Sequence, residues 1–183
     1  VKQMFEIADV HEKIILALYG LNGLRPSLIP QLTIGQIDQR HYKLENGHFE
    51  FTVKNPFLYV LKGWEGNKAK QTFFIILHSR LAAMIQQAIN MAPEEPTKDT
   101  PLTSKYRSEQ NIHDKVKDLF GKIGFNGRPY LLRSFADKVY DRTLVEKDKD
   151  LKEQLMLHKC NISGVYQFKG LSDDDIQEYT KTY

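Results

Sequence analysis

The chain has 183 residues, of which 41% are apolar, 27% are charged and 11% are aromatic. Domains commonly span roughly 100–200 residues, so this length predicts one domain with enough apolar material for a core, and it excludes wholesale disorder. The longest apolar run, Ile14 to Tyr19, is far shorter than the roughly 20 residues of a membrane-spanning helix, so we expect no membrane contact. The 26 basic and 23 acidic residues give too small an excess to indicate nucleic-acid binding by itself.

Cysteine content and leader segments bear on the compartment. Cys160 is the only cysteine, which excludes an internal disulfide and is typical of a reducing compartment. No signal-peptide pattern opens the chain, so we expect a cytoplasmic protein. His158 and Cys160 are too few to hold zinc, and the sequence predicts no metal and no other cofactor.

The amino-terminal part predicts one helix and a turn. Apolar residues recur at steps of three and four over residues 5–21, which indicates an amphipathic helix. Asn22 and Gly23 follow it as a left-handed cap would. A short apolar segment that contains Pro26 and Pro30 then runs to Asp38.

A β region is predicted next. Phe49, Phe51 and Val53 alternate with polar residues, and the preceding Asn46-Gly47 is a strong hairpin signal. Two further apolar runs, 57–61 and 72–77, flank a loop that contains three lysines. We expect one small antiparallel sheet of three or four strands with this basic loop at its tip.

The remainder is predicted to be helical. Apolar faces indicate helices around residues 81–89, 112–123 and 132–139, while the proline-containing residues 92–104 form a connection. Shorter helices are expected over 149–158, 162–169 and 173–182. The predicted fold class is α+β, mainly α, with a small antiparallel sheet.

Three segments carry candidate catalytic side chains. Gly20 to Ser27 contains Arg25 at a turn, and Tyr130 to Ala136 contains Arg133 on a predicted helix. Tyr130 and Arg133 are three residues apart, so we expect them on one side of that helix. His158 precedes Tyr166 by eight residues, and Arg133 precedes Tyr166 by 33.

Together these segments resemble the catalytic domain of tyrosine recombinases, the phage-type integrases. Gly23 to Ser27 follows the family's Gly-Leu-Arg-x-Ser box, and Tyr130 to Ala136 follows its His-x-Leu-Arg-(His)-Ser/Thr-Phe-Ala box with tyrosine in place of histidine. The family's third element is Leu-Gly-His and, about nine residues later, a nucleophilic tyrosine; here Leu157 stands where glycine is usual. The tyrosine in the second box resembles integrases of archaeal plasmids and viruses. The acidic residue usual three positions after the first arginine is Leu28.

The resemblance implies that residues 1–183 form a tyrosine-recombinase catalytic domain, and that a separate amino-terminal DNA-binding domain is absent from this chain. It also implies double-stranded DNA as a partner and a homo-oligomer, a tetramer on two DNA sites. The implied catalytic residues are Arg25, Lys68, Tyr130, Arg133, His158 and Tyr166. Lys62, Lys70 and Arg128 are expected to bind DNA, and Lys70 and Lys62 are alternatives to Lys68 as the hairpin lysine.

These residue types suit DNA strand cleavage by transesterification. Tyr166 would attack a phosphodiester to give a 3′-phosphotyrosine and a free 5′-hydroxyl, which keeps the bond energy without ATP or metal. Arg25 and Arg133 would grip the non-bridging oxygens bidentately, and Lys68 would protonate the leaving oxygen. Tyr130, with a reference pKa near 10, would donate a hydrogen bond but could not act as a base at neutral pH.

Other interpretations stay open at this point. Arg25 could be a helix-capping arginine, Tyr130 a core residue, and the lysines of 62–70 a solvated loop. Tyr179 and Tyr183 are lower-ranked nucleophiles. The whole chain could be a DNA-binding protein with a degenerate recombinase fold, a topoisomerase of type IB or a helical interaction module.

Overall fold

The structure is a computed structural model that describes residues 1–61, 63, 64, 67 and 72–143, without the side chains of residues 142 and 143. In this part of the chain the α-helices are α1 (Lys2–Ile7), α2 (Val10–Gly20), α3 (Ser79–Asn90), α4 (Glu109–Lys122) and α5 (Leu131–Thr143). The strands are β1 (Tyr42–Glu45), β2 (His48–Phe51), β3 (Phe57–Val60) and β4 (Phe73–Ile76). Short 3₁₀ turns at Ile29–Gln31, Ile34–Gln36 and Gln39–His41 link α2 to β1.

The predicted single helix over 5–21 is wrong, because the chain breaks at Ala8-Asp9 into α1 and α2. Asp9 has an extended backbone and its carboxylate accepts a hydrogen bond of 2.8 Å from the Glu12 backbone N–H. The Glu12 carboxylate accepts one of 2.8 Å from the Asp9 N–H, which completes a capping box. The recurrence of apolar residues at steps of three and four does not reveal this break, because the apolar positions continue in register across it.

Helix α2 is the central element of the core. Ile14 to Tyr19 are at most 2% exposed, so this helix is buried all round rather than on one face. It packs against α3, α4 and α5. The chain leaves α2 through Gly23, whose φ of +65° lies in the left-handed region, and the Leu24 N–H donates to the Leu18 carbonyl at 3.0 Å. The predicted left-handed cap is therefore confirmed at Gly23.

The strands form two separate antiparallel hairpins, β1–β2 and β3–β4, so the expected single sheet of three or four strands is wrong. In the first hairpin Asn46 and Gly47 have φ values of +51° and +72°, the positive pair that a type I′ turn requires. The outer edge of β2 is occupied by helix side chains. Asn90 accepts from the Phe49 N–H at 2.9 Å and donates to its carbonyl at 2.8 Å, and Gln86 accepts from the Phe51 N–H at 2.9 Å.

The edge of β3 is occupied as well. Ile37 forms an isolated antiparallel bridge with Leu58, and the Asp38 N–H donates to the Phe57 carbonyl at 3.0 Å. With side-chain amides on β2 and this short segment on β3, these two strand edges cannot pair with each other. Backbone groups that are already bonded in this way favour two separate sheets over a single one.

The predicted helices around 81–89, 112–123 and 132–139 are confirmed as α3, α4 and α5. Residues 92–104 are a connection, as expected, and pair their backbone with the segment after α2: the Leu102 N–H donates to the Leu32 carbonyl at 2.9 Å. The helices predicted over 149–158, 162–169 and 173–182 lie outside the described residues. Within the described part, no helix has both the length and the apolar character to cross a bilayer.

Candidate functional site

Arg25 lies in the tight turn that follows α2, and its position is fixed by its neighbours. Leu24 and Leu28 on either side are fully buried, and the Arg25 carbonyl accepts a hydrogen bond of 2.9 Å from the Leu28 N–H. The Asn22 side chain donates to the Ile76 carbonyl at 3.0 Å, which ties the turn to the end of β4. The half-buried Arg25 side chain is therefore held on a rigid part of the core.

Arg133 lies in the first turn of α5 and is only 3% exposed. The preceding residue, Leu132, packs directly on α2, because a Cβ atom at Gly20 would lie 3.5 Å from Leu132 Cδ2. Further along α5, the Tyr140 hydroxyl donates a hydrogen bond of 3.0 Å to the Leu21 carbonyl. These two contacts hold the start of α5 against the end of α2.

Arg25 lies near enough to Arg133 to act on its charge, although 108 positions separate them in the sequence. Burial lowers the pKa of Arg133, and the positive charge of Arg25 lowers it further. Tyr130, Tyr19 and Asp137 act in the opposite direction and raise that pKa. Two like charges held near each other in a poorly solvated place create a site that an anion would stabilise.

Tyr130 lies on the outer side of this cluster. It is 63% exposed, so its interpretation as a core residue is wrong. It precedes the first residue of α5, and its carbonyl accepts the Arg133 N–H at 3.1 Å. Arg128 is also exposed, in the turn that leads into α5. Tyr130 thus gives the arginine pair a phenol that a solvent-borne ligand can reach.

Leu28, which stands where the resembled family has an acidic residue, is fully buried in the core. Its side chain packs in the apolar cluster with Leu24, Ile29 and Leu32. Position 28 therefore contributes to stability here, and no carboxylate at that position faces the arginine pair.

Five of the predicted site residues lie outside the described residues, namely Lys62, Lys68, Lys70, His158 and Tyr166. Among the residues that the structure does describe, no group of three or more His, Cys, Asp or Glu side chains could hold a metal ion. The described part of the candidate site contains Arg25, Arg133 and Tyr130, two guanidiniums and a phenol.

The structure adds two residues that the sequence did not suggest. Asp137 is four positions after Arg133 on α5, and this i,i+4 spacing could have indicated its influence on the arginine. Tyr19 lies in the apolar stripe of α2 and neighbours Arg133 only through the folding of α2 against α5. No signal in the sequence distinguishes Tyr19 from an ordinary core aromatic.

Comparison with known proteins extends the description of the fold. No protein-family model and no curated protein matches the chain. Among solved structures, the integrase from mycobacterium phage Brujita is similar with a TM-score of 0.58 and 15% identity, over 99% of this chain and 53% of that one.

Two structures of the XerH site-specific recombinase are similar as well. The pre-cleavage complex with difH substrate gives a TM-score of 0.52 at 13% identity, over 98% of this chain and 46% of that one. The post-cleavage complex with palindromic difH gives 0.54 at 13% identity, over 98% and 49%. The chain thus spans about half the length of the structures it resembles. Its mainly helical α+β architecture, with small antiparallel sheets, is the tyrosine-recombinase fold.

Proposed function

We propose that the chain is the catalytic domain of a site-specific DNA recombinase, an integrase that cleaves and rejoins DNA strands through a covalent 3′-phosphotyrosine. The observation that carries this proposal is that Arg25 acts on the charge of Arg133, which is buried where α5 begins. Folding brings two cations together there against their mutual repulsion. An anion bound between them would remove that repulsion.

A DNA phosphodiester suits this site. Guanidinium groups bind phosphate oxygens bidentately, and two of them can neutralise the charge that develops on the non-bridging oxygens. The exposed Tyr130 supplies a further hydrogen-bond donor beside them. The likeness in fold to an integrase and to a recombinase bound to its DNA substrate supports double-stranded DNA as the partner.

In the proposed reaction the Tyr166 oxygen attacks the phosphorus and forms the phosphotyrosine bond, while the bond from phosphorus to the 5′-oxygen breaks. The phenolic proton leaves to His158 or to solvent, and the 5′-oxygen takes a proton from Lys68. Reversal of this step with a second DNA end rejoins the strands, so the reaction needs neither ATP nor a metal.

The DNA backbone is bound by Lys62, Lys70 and Arg128. A tetramer on two DNA sites exchanges the strands. Tyr130 in place of histidine resembles integrases of archaeal plasmids and viruses.

A nicked duplex that traps the cleaved state tests the proposal. A pool of such duplexes, drawn from candidate host tRNA genes, is incubated with the protein without metal and separated under denaturing conditions. We expect a protein–DNA band whose modified peptide contains Tyr166. Tyr166→Phe should abolish the band and leave DNA affinity nearly unchanged, whereas the matched variant Tyr179→Phe should keep it.

Other outcomes identify other functions. Salt-dependent DNA binding across the pool without any adduct would mean an inactive DNA-binding domain of recombinase fold. Plasmid relaxation without exchange between two sites would mean a topoisomerase. A protein that does not bind DNA at low salt would contradict the proposal altogether.

A further inference from the structure

A groove with a volume of about 860 Å³ lies where α1, α2, α3 and α5 meet. From α2 it is lined by Lys13, Ala17 and Leu21, which are four residues apart and therefore form one stripe along the helix, about 12 Å long. From α3 and α5 it is lined by Met84 and Phe135, among others. Binding sites in proteins commonly have volumes of roughly 300–1,000 Å³, so this groove is large enough for an occupant.

The groove exposes large apolar side chains to solvent. Leu21 is 45% exposed and Phe135 is 39% exposed, and both line the groove. Met84 on α3 and Val139, four residues after Phe135 on α5, are half-buried there. A single exposed apolar side chain is ordinary, whereas several on one concave surface are typical of an interaction site. The occupant is therefore expected to have an apolar face.

The groove is also positively charged. Lys2, Lys13 and Arg80 line it, and none of the described residues that line it is acidic. In the part of the chain that the structure describes, none of these three cations forms an ion pair. Lys105 and Lys115, by contrast, pair with carboxylates at 2.8 and 3.0 Å. The charges of the groove therefore complement an occupant that has acidic side chains.

We propose that this groove binds an acidic amphipathic helix of a partner protein. The apolar residues of that helix pack on Leu21, Met84 and Phe135, and its flanking Asp or Glu side chains pair with Lys13 and Arg80. Helices that bind in apolar grooves do so through residues at i, i+3, i+4 and i+7, with charges at the margins. The inference goes beyond the proposed recombinase function and does not depend on DNA binding.

Other kinds of partner fit the groove less well. A nucleic-acid backbone would pair with the cations but would leave the apolar side chains uncovered. A lipid surface is broad, whereas this site is a concavity between helices. Strand addition needs an open strand edge, and the strands contribute only Ile76 to the lining. An amphipathic helix satisfies both the apolar and the charged part of the groove.

Two synthetic helical peptides test the proposal. They share leucines at i, i+3, i+4 and i+7 and differ only in the flanking residues, which are glutamates in one peptide and lysines in the other. Binding of each fluorescently labelled peptide to the full chain is measured by anisotropy at low and high salt. We expect the glutamate peptide to bind at least about tenfold more tightly than the lysine peptide, with a preference that decreases as salt screens the charges.

A pair of methionine variants locates the binding site. Met84→Glu places a carboxylate in the groove, and we expect it to weaken binding of the glutamate peptide by about tenfold or more. Met91, the residue after α3, is 71% exposed and does not line the groove. Met91→Glu is therefore the matched control on the same helix, and it should bind the peptide like the parent.

A charge reversal tests the complementarity directly. Arg80 is exposed in the first turn of α3, where an acidic side chain is favourable to the helix, so Arg80→Glu should fold normally. This variant should bind the glutamate peptide more weakly and the lysine peptide more tightly than the parent does. A general structural effect would weaken binding of both peptides.

Four results would overturn the proposal. The first is that the parent binds neither peptide, or binds both equally. The second is self-association of the parent that Met84→Glu abolishes, because the occupant would then be another copy of the chain. The third is a thermal midpoint lowered by Met84→Glu and not by Met91→Glu without any peptide binding, because the chain itself would then cover the groove. The fourth is binding to anionic phospholipid vesicles that the glutamate peptide does not displace.

Discussion

The hydroxyl of Tyr140 donates a hydrogen bond of 3.0 Å to the backbone carbonyl of Leu21, across 119 positions of the sequence. Leu21 is the residue after the last turn of α2, four positions before Arg25, and Tyr140 is two turns along α5 from Arg133. The bond therefore joins the two elements that supply the arginines. The distance between Arg25 and Arg133 depends on this contact and on the packing of Leu132 against Gly20.

Tyr140→Phe removes this bond and should lower the free energy of unfolding by about 0.5–1.5 kcal/mol. Leu21 is 45% exposed, so water can reach its carbonyl and the loss should lie at the low end of that range. Because α5 is then less firmly held to α2, adduct formation should also decrease. Chemical denaturation and the nicked-duplex assay measure the two effects.

Tyr59→Phe is the control for Tyr140→Phe. The Tyr59 hydroxyl donates to the Asp38 carboxylate at 2.9 Å, on β3 and not at the contact between α2 and α5. We expect a loss of about 1.5–3 kcal/mol, since the acceptor is charged, with unchanged adduct formation per folded molecule. Equal activity losses in the two variants would show that the Tyr140 bond has no special relation to the site.

The turn that presents Arg25 depends on Gly23, and a pair of glycine variants tests this. Gly23 and Gly124 have φ values of +65° and +68°, a region that costs other residues about 1–2 kcal/mol. Gly23→Ala and Gly124→Ala should therefore destabilise the protein to a similar degree. Only Gly23→Ala should reduce phosphate and DNA binding, because only this turn leads into Arg25. Equal binding by the two variants would mean that the turn tolerates the change without moving the arginine.

The repulsion between the arginines predicts that stability and activity respond differently at position 25. Arg25→Gln removes the charge that disfavours the charged form of Arg133, so the variant should be at least as stable as the parent. Its adduct formation should fall by about 10²–10³, as when a preorganised donor is lost. Arg128→Gln, at an exposed position beside the same helix, should change chiefly the salt dependence of DNA affinity. A strongly destabilised Arg25→Gln variant would contradict the view of Arg25 as a ligand-binding group.

The lowered pKa of Asp38 predicts how the free energy of unfolding changes at acidic pH. Hydrogen bonds from the Arg40 side chain, at 3.0 and 2.9 Å, hold the pKa of this carboxyl far below its ordinary value, and Tyr59 assists. A carboxyl with a lowered folded pKa contributes fully above its unfolded pKa of about 3.9, and the contribution is lost as the pH falls toward the folded pKa. Denaturation curves between about pH 6 and pH 2 should fall less steeply with acid for Asp38→Asn than for the parent. The exposed Asp99→Asn is the control and should follow the parent.

Local patterns predicted most of the elements, while contacts between distant segments determined where the predictions failed. The turn at Asn46-Gly47, the cap at Gly23 and helices α3 to α5 follow from signals within a few residues. The break at Asp9 was missed because the apolar stripe continues across it. The division into two hairpins was missed because it depends on Asn90 and Gln86, which lie about 40 positions from β2.

The same distinction applies to the site. Arg25 and Arg133 were identified through their motifs and their roles stay predictions; in the structure Arg25 acts on the charge of Arg133, which the motifs alone do not show. Tyr130 could not be assigned to core or surface from its spacing, because it lies just before α5 begins and not within it. Tyr19 was not found at all, since its relation to Arg133 exists only after α2 and α5 have packed. The roles of Lys68, His158 and Tyr166 stay predictions.

The amide side chains along β2 have a consequence for behaviour at high concentration. An uncovered strand edge is a template on which another molecule can add a strand, and this is a common start of aggregation. Asn90 satisfies both backbone groups of Phe49, and Gln86 satisfies the N–H of Phe51, as a neighbouring strand would. Helix α3 therefore prevents strand addition along this edge, and any contact between copies of the chain must use other surfaces.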